Sequence, residues 1–188
     1  MKRVVTLALG LMLAVGSVVA GELKSGLQPG DLVGEFEVEK CGGAVNDGRD
    51  VGTNFCYRCM LGSKPVVMVF ARKANGDLAK LVKELDQAVQ KNAEKMLSSF
   101  VNLLGKEPEA LKMTAKEFAA KNRVENVALV VPQDNENGPE DFNIHPEAEV
   151  TVILYREGKV EVNHAYAAGQ LGAEAVKQVI ADTSKILN

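Results

Sequence analysis

Apolar and polar positions divide the chain into segments of distinct period. Between Asp31 and Lys40, Val33, Phe36 and Val38 interleave with Glu35, Glu37 and Glu39, the two-residue period of a strand with one wet face. A loop with Gly42, Gly43, Asn46, Asp47 and Gly48 follows, and Val51 and Phe55 return toward the core. This predicts a loose hairpin with Cys41 on one arm and Cys56 and Cys59 on the other. The run Pro65 to Ala71 is apolar without alternation, which predicts a buried central strand. Leu78, Leu81, Val82, Leu85, Ala88 and Val89 then recur at spacings of three and four, so a helix faces the sheet, with Asn75 or Asp77 as its cap.

The same reading gives a second strand over Ser98 to Leu104. A helix opening at Pro108 buries Leu111, Thr114, Ala115, Phe118 and Ala119 and stops at Asn122, and a third strand covers Val127 to Val131. A polar loop from Gln133 to Pro146 carries Phe142 and Ile144 as its large apolar residues. Val150 to Arg156, the turn Glu157-Gly158-Lys159 and Val160 to Ala167 predict a closing hairpin. Ala173 to Leu187 predicts a last helix, with Val176, Val179, Ile180, Ile186 and Leu187 inward. The order is hairpin, β-α-β-α-β, long loop, β-β-α: an α/β sandwich with a mixed sheet.

The N-terminus changes this picture. Lys2-Arg3, an apolar run from Val4 to Ala20, and Val18 and Ala20 as small residues before Gly21 have the layout of a cleaved secretory signal peptide. The expected divisions are a leader over 1–20, a polar arm over 21–30 and one domain over 31–188. Localisation is then periplasmic or extracellular, with no stable membrane insertion once the leader is removed. Cleavage leaves 20 basic against 25 acidic residues, a formal charge of −5. That sign argues against nucleic acid as a partner, which favours a basic stripe.

Three cysteines carry the candidate chemistry. Cys56-Tyr57-Arg58-Cys59 has the spacing of a redox dithiol or of half a metal site. As a dithiol, Cys56 is the natural attacking thiol and Cys59 the resolving one; Arg58 favours the thiolate, and Tyr57 offers a flat surface to a partner peptide. The bland alternative is a bridge from Cys41 to Cys56 or Cys59, closing a loop of about 15 to 18 residues worth roughly 3 kcal/mol. A metal site would need His145 or His164 as a fourth ligand, and each reads more simply as a loop and a strand residue. The acids Asp134, Glu136, Glu140 and Asp141 lack the spacing of a calcium loop. No Gly-rich phosphate loop, Ser-His-Asp set or paired catalytic carboxylate is present, and no cofactor is expected.

Gly30-Asp31 with Phe36-Glu37-Val38, the stretch Gly62 to Phe70 and the hairpin Val152 to Val160 resemble the thioredoxin superfamily, in its redoxin and peroxiredoxin-like branch. The resemblance implies a thioredoxin-like fold and partners that are protein thiols or disulfides. It also implies a reactive cysteine after the first central strand, where this chain has Arg72-Lys73-Ala74-Asn75-Gly76-Asp77. Arg72 and Lys73 there suit an anion or, more simply, a solvated loop. Thioredoxin-type members place a cis-proline where this chain has Val150. These departures leave two expectations: thiol-disulfide exchange through Cys56 and Cys59, or a non-catalytic binding module with a structural disulfide among Cys41, Cys56 and Cys59.

Overall fold

The computed structural model describes residues 23–188; the predicted leader and the first two residues of the arm lie outside them. Seven strands form one sheet in the order β2-β1-β5-β4-β3-β6-β7. They are β1 (Val38–Gly43), β2 (Asn54–Phe55), β3 (Val66–Ala71), β4 (Ser98–Leu103), β5 (Val127–Pro132), β6 (Ala148–Arg156) and β7 (Lys159–Ala167). Strands β3, β4 and β5 run parallel; β1 joins β5, and β6 joins β3, antiparallel. The mixed sheet flanked by helices and the N-terminal hairpin match the sequence expectation. Helices α1 (Tyr57–Leu61), α2 (Gly76–Lys91), α3 (Pro108–Asn122) and α4 (Ala173–Asp182) cover its two faces.

Strand alternation splits the core in two. Val67, Val69 and Ala71 of β3 point with Val101, Leu129 and Val152 to the face covered by α2, α3 and α4. Val66, Met68 and Phe70 point with Phe100, Val130 and Ile153 to the opposite face, where Tyr57 and Leu61 of α1 pack with Leu27, Val33 and Phe142. Every residue of β3 is buried because it is central and covered on both sides. Asn75 caps α2 by accepting the amides of Asp77 at 3.1 Å and Leu78 at 3.0 Å.

Two segments differ from their expected form. Strand pairing starts at Val38 rather than Asp31, and an isolated bridge from Leu32 to Lys159 precedes it. Val33 donates to Gly158 O beside β7, while Glu37 O accepts from Gln133 N beside β5. The residues between therefore cross the sheet face in extended form: Val33 is buried, Phe36 half-buried, and Glu35 and Glu37 exposed. Their alternation reports a wet and a dry side, which an unpaired extended chain also has. The arm, in turn, is fastened to the domain. Ser25 Oγ lies 2.6 Å from Thr151 Oγ1, and Asn163 Nδ2 donates to the carbonyls of Ser25 and Leu27. Gly26, at φ +82°, has no room for a Cβ, which would lie 2.8 Å from Thr151 Cγ2.

Asp86 of α2 fixes the entry to β5. Its carboxylate accepts the amides of Glu125, Asn126 and Val127 and the side-chain amide of Asn126, at 2.7 to 3.2 Å. Asp86→Ala leaves three backbone donors without this partner, and we expect a loss of about 2 kcal/mol. The urea unfolding midpoint checks this; an unchanged midpoint would mean that water replaces the carboxylate at no cost.

Candidate functional site: an exposed disulfide on the α1 face

Cys56 and Cys59 are joined in a disulfide, with Cα atoms 5.2 Å apart, and Cys41 is a buried free thiol. The parity of β1 explains why Cys41 is not in the bridge. Val38 and Lys40 point to the α1 face, whereas Glu39 reaches Lys112 of α3 at 2.8 Å and Cys41 joins the core beneath α3. A bulge between Lys40 and Gly42 interrupts the register at Cys41. The sheet thus stands between Cys41 and the pair, and the expected bridge from Cys41 is corrected. Burial and the charge of Glu39 push the Cys41 thiol up to about 11.

The pair sits at the start of a helix where the sequence predicted the arm of a hairpin. Cys56 is the N-cap of α1, and its Sγ accepts the Cys59 N–H at 3.0 Å. Cys56 is half-buried and Cys59 is exposed. Glu35 Oε2, on the crossing segment, lies 3.7 Å from Cys59 Sγ.

Tyr57 and Arg58 have work other than that expected of them. Tyr57 is only 3% exposed and stacks on Phe100 at 5.0 Å between ring centroids, so it offers no surface to a partner. Its hydroxyl donates to Asp47 Oδ2. Arg58 donates to Val33 O at 3.2 Å and Gly62 O at 3.1 Å, and its guanidinium fills the space against Gly158 that a Cβ would need. It clamps α1 to the crossing segment and the β6–β7 turn.

Lys40, unremarked in the sequence, anchors this arrangement. It is 2% exposed, and its Nζ donates to Ala44 O at 2.9 Å, Asp47 Oδ1 at 2.6 Å and Arg49 O at 2.7 Å. The chain Lys40–Asp47–Tyr57 ties β1, the 44–50 loop and α1 together, as a Cys41 bridge was expected to do. One signal was legible: Lys40 shares its strand parity with Val38, so a one-faced strand must carry a lysine inward.

The turn between β3 and α2 has no thiol but is filled with charge. Lys73 Nζ meets Glu149 Oε2 at 2.8 Å and Asn75 Nδ2 donates to Glu149 Oε1 at 2.9 Å. Of the two expectations for these charges, an anion site or a solvated loop, the structure shows the chain's own carboxylate paired with Lys73 and Asn75. Arg72 Nη1 donates to Glu136 O at 3.0 Å, its Nε and Nη2 are buried without a partner, and burial pushes its pKa down. His164 Nε2 meets Asp182 Oδ2 at 3.0 Å and His145 Nδ1 accepts from Glu147 N at 3.2 Å. Among the described residues, no three His, Cys, Asp or Glu side chains are grouped as for a metal, and no helix is long and apolar enough to cross a membrane.

This architecture is thioredoxin-like. Similar solved structures include a putative thiol:disulfide interchange protein DsbE from Chlorobium tepidum (TM-score 0.58, 19% identity, covering 86% of this chain and 99% of that one). A putative protein disulfide isomerase from Bacteroides thetaiotaomicron has TM-score 0.62 at 14% identity, covering 88% of this chain and 94% of that one. Peroxidoxin BcpB from Mycobacterium tuberculosis has TM-score 0.59 at 18% identity, covering 85% and 98%. No protein-family model matches the chain, and no curated protein is similar to it in sequence.

Two outcomes follow. Lys40→Met leaves Asp47 facing Tyr57 without its cation, and we expect a loss of about 3 kcal/mol by urea unfolding; a loss under about 1 kcal/mol would remove Lys40 as the anchor. For Cys41, the unfolded thiol ionises near pH 9 while the native one holds its proton to about 11. Its contribution to stability is complete below pH 9, falls as pH rises, and stops falling near 11. Stability curves from pH 8 to 11 should therefore drop less in Cys41→Ala than in the parent protein; parallel curves would contradict the burial argument.

Proposed function

We propose that this chain is an exported thiol-disulfide exchange protein acting through Cys56 and Cys59, on protein dithiols or disulfides. The observation that carries the reading is the bridge itself: it lies within one short helix, is open to solvent at Cys59, and leaves the Cys56 sulfur under a backbone N–H. An amide donor stabilises a thiolate, which makes Cys56 a good leaving group when the bridge is opened. A bridge across so few residues also restrains the unfolded chain weakly, by about 2 kcal/mol against roughly 3 for the longer loops that Cys41 would close. Exchange is thus the better account of the pair. The leader supports export, and an oxidising compartment is where such a bridge persists.

A second reading has its own support. The turn after β3, where the resemblance implies the reactive cysteine, is occupied by Arg72, Lys73 and Asn75, with Lys73 and Asn75 held on Glu149. This favours a binding module in which the bridge only fastens α1.

Equilibration of residues 21–188 in dithiothreitol or glutathione redox buffers separates the two readings. Exchange expects a reduction potential above about −300 mV and turnover of a model protein disulfide that Cys56→Ser or Cys59→Ser abolishes and Cys41→Ala spares. A potential below about −300 mV with no turnover would leave the binding module.

A further inference from the structure

The two sulfurs of the bridge stand in opposite electrostatic settings. Cys56, the half-buried residue of the pair, accepts the Cys59 N–H on its Sγ at 3.0 Å. Cys59 Sγ is exposed and has the Glu35 carboxylate 3.7 Å away. A thiolate that attacks Cys59 displaces Cys56, whose new charge is received by an amide donor. A thiolate that attacks Cys56 must reach the less exposed residue of the pair, and it then expels a charge against Glu35. Leaving-group stability and access both select the first route.

Glu35 also decides which thiols arrive. It lines a cleft of about 360 Å³ that carries Glu37, Asp134, Glu140 and Asp141 around Phe36. None of these five carboxylates is in a salt bridge among the described residues, and all five are exposed. Neither nearby arginine is paired with them. Arg58 is bound to Val33 O and Gly62 O, and Arg49 lies over the Phe55 ring with its Nε 3.5 Å from Met60 Sδ. An anionic thiol meets repulsion at Cys59, whereas a thiol beside an ammonium or guanidinium meets attraction.

The geometry points to Cys59 as the sulfur that exchanges with the partner, Cys56 as the leaving thiolate, and a cysteine flanked by Lys or Arg as the partner, selected by Glu35. This assignment rests on the exchange reading and reverses the roles expected from the sequence. A partner thiolate forms a bond to Cys59 Sγ; the Sγ–Sγ bond breaks, and its electron pair passes to Cys56 Sγ. A second thiolate of the same partner attacks the partner sulfur of the mixed disulfide, and Cys59 leaves as thiolate. Two electrons and two protons move from the partner dithiol to the protein: the partner becomes a disulfide and Cys56 and Cys59 become thiols.

The test uses the oxidised mature protein with four thiols: dithiothreitol and 2-mercaptoethanol, which are neutral, cationic cysteamine and anionic 3-mercaptopropionate. Rates of bridge opening are compared per thiolate, and quenched mixed disulfides are mapped by mass spectrometry. Expected are a cysteamine adduct on Cys59, and a cysteamine rate roughly fivefold or more above that of 3-mercaptopropionate at low salt. Glu35→Gln or high salt should shrink that ratio severalfold. If dithiothreitol opens the bridge but the adduct lies on Cys56, or the ratio ignores Glu35→Gln, this assignment falls and exchange itself stands. If dithiothreitol does not open the bridge in the folded protein, both fall together.

Discussion

A buried lysine that answers to one carboxylate and two carbonyls sets the position of everything around the disulfide. Lys40 enters the α1 face of the sheet from β1, and its charge requires Asp47 and the carbonyls of Ala44 and Arg49 to close around it. That closure shapes the 44–50 loop, and the loop presents Asp47 to the Tyr57 hydroxyl. Tyr57 then lies flat on Phe100, which seats α1 and with it both sulfurs. Arg58 completes the attachment at the other side through Val33 and Gly62. The residues between the cysteines thus hold the helix in place, and Cys59 is left exposed.

The sheet divides the chemistry as cleanly as it divides the core. On one face, α2, α3 and α4 bury a large aliphatic cluster that includes the Cys41 thiol. On the other, α1, the crossing segment and the loop around Phe142 build a smaller cluster with most of the aromatic residues. All the polar contacts that characterise the disulfide belong to this second face. The turn between β3 and α2, by contrast, is neutralised internally, with Glu149 held by Lys73 and Asn75. A thioredoxin-like frame can therefore carry a disulfide without using the turn that the family resemblance would pick out, because a fold supplies a scaffold and the site is set by local residues.

What the residues announced and what they withheld differ in physical kind. Apolar periodicity reports which side of an element is dry. It located β3, β4, β5, the closing hairpin, α2, α3 and α4, together with the Asn75 cap and the proline start of α3. Between Asp31 and Glu37 it gave the dry side correctly while leaving the hydrogen-bond partner open, since an extended chain crossing a sheet alternates as a strand does. The helix at Cys56 escaped notice because five residues are too few for a helical period to emerge.

By itself, then, the sequence determined the thioredoxin-like order of elements, the presence of a two-residue-spaced cysteine pair, and the expectation of a leader ahead of the domain. Only the tertiary structure decided which two of three cysteines bond, since that depends on a sheet standing between Cys41 and the pair. It alone brought Glu35 to Cys59 across 24 residues, and Asp47 to Tyr57 and Lys40. Charge and sulfur act through distances of a few ångströms, and such distances between remote residues are fixed by the crossing of the chain over its own sheet. No spacing along the chain encodes them.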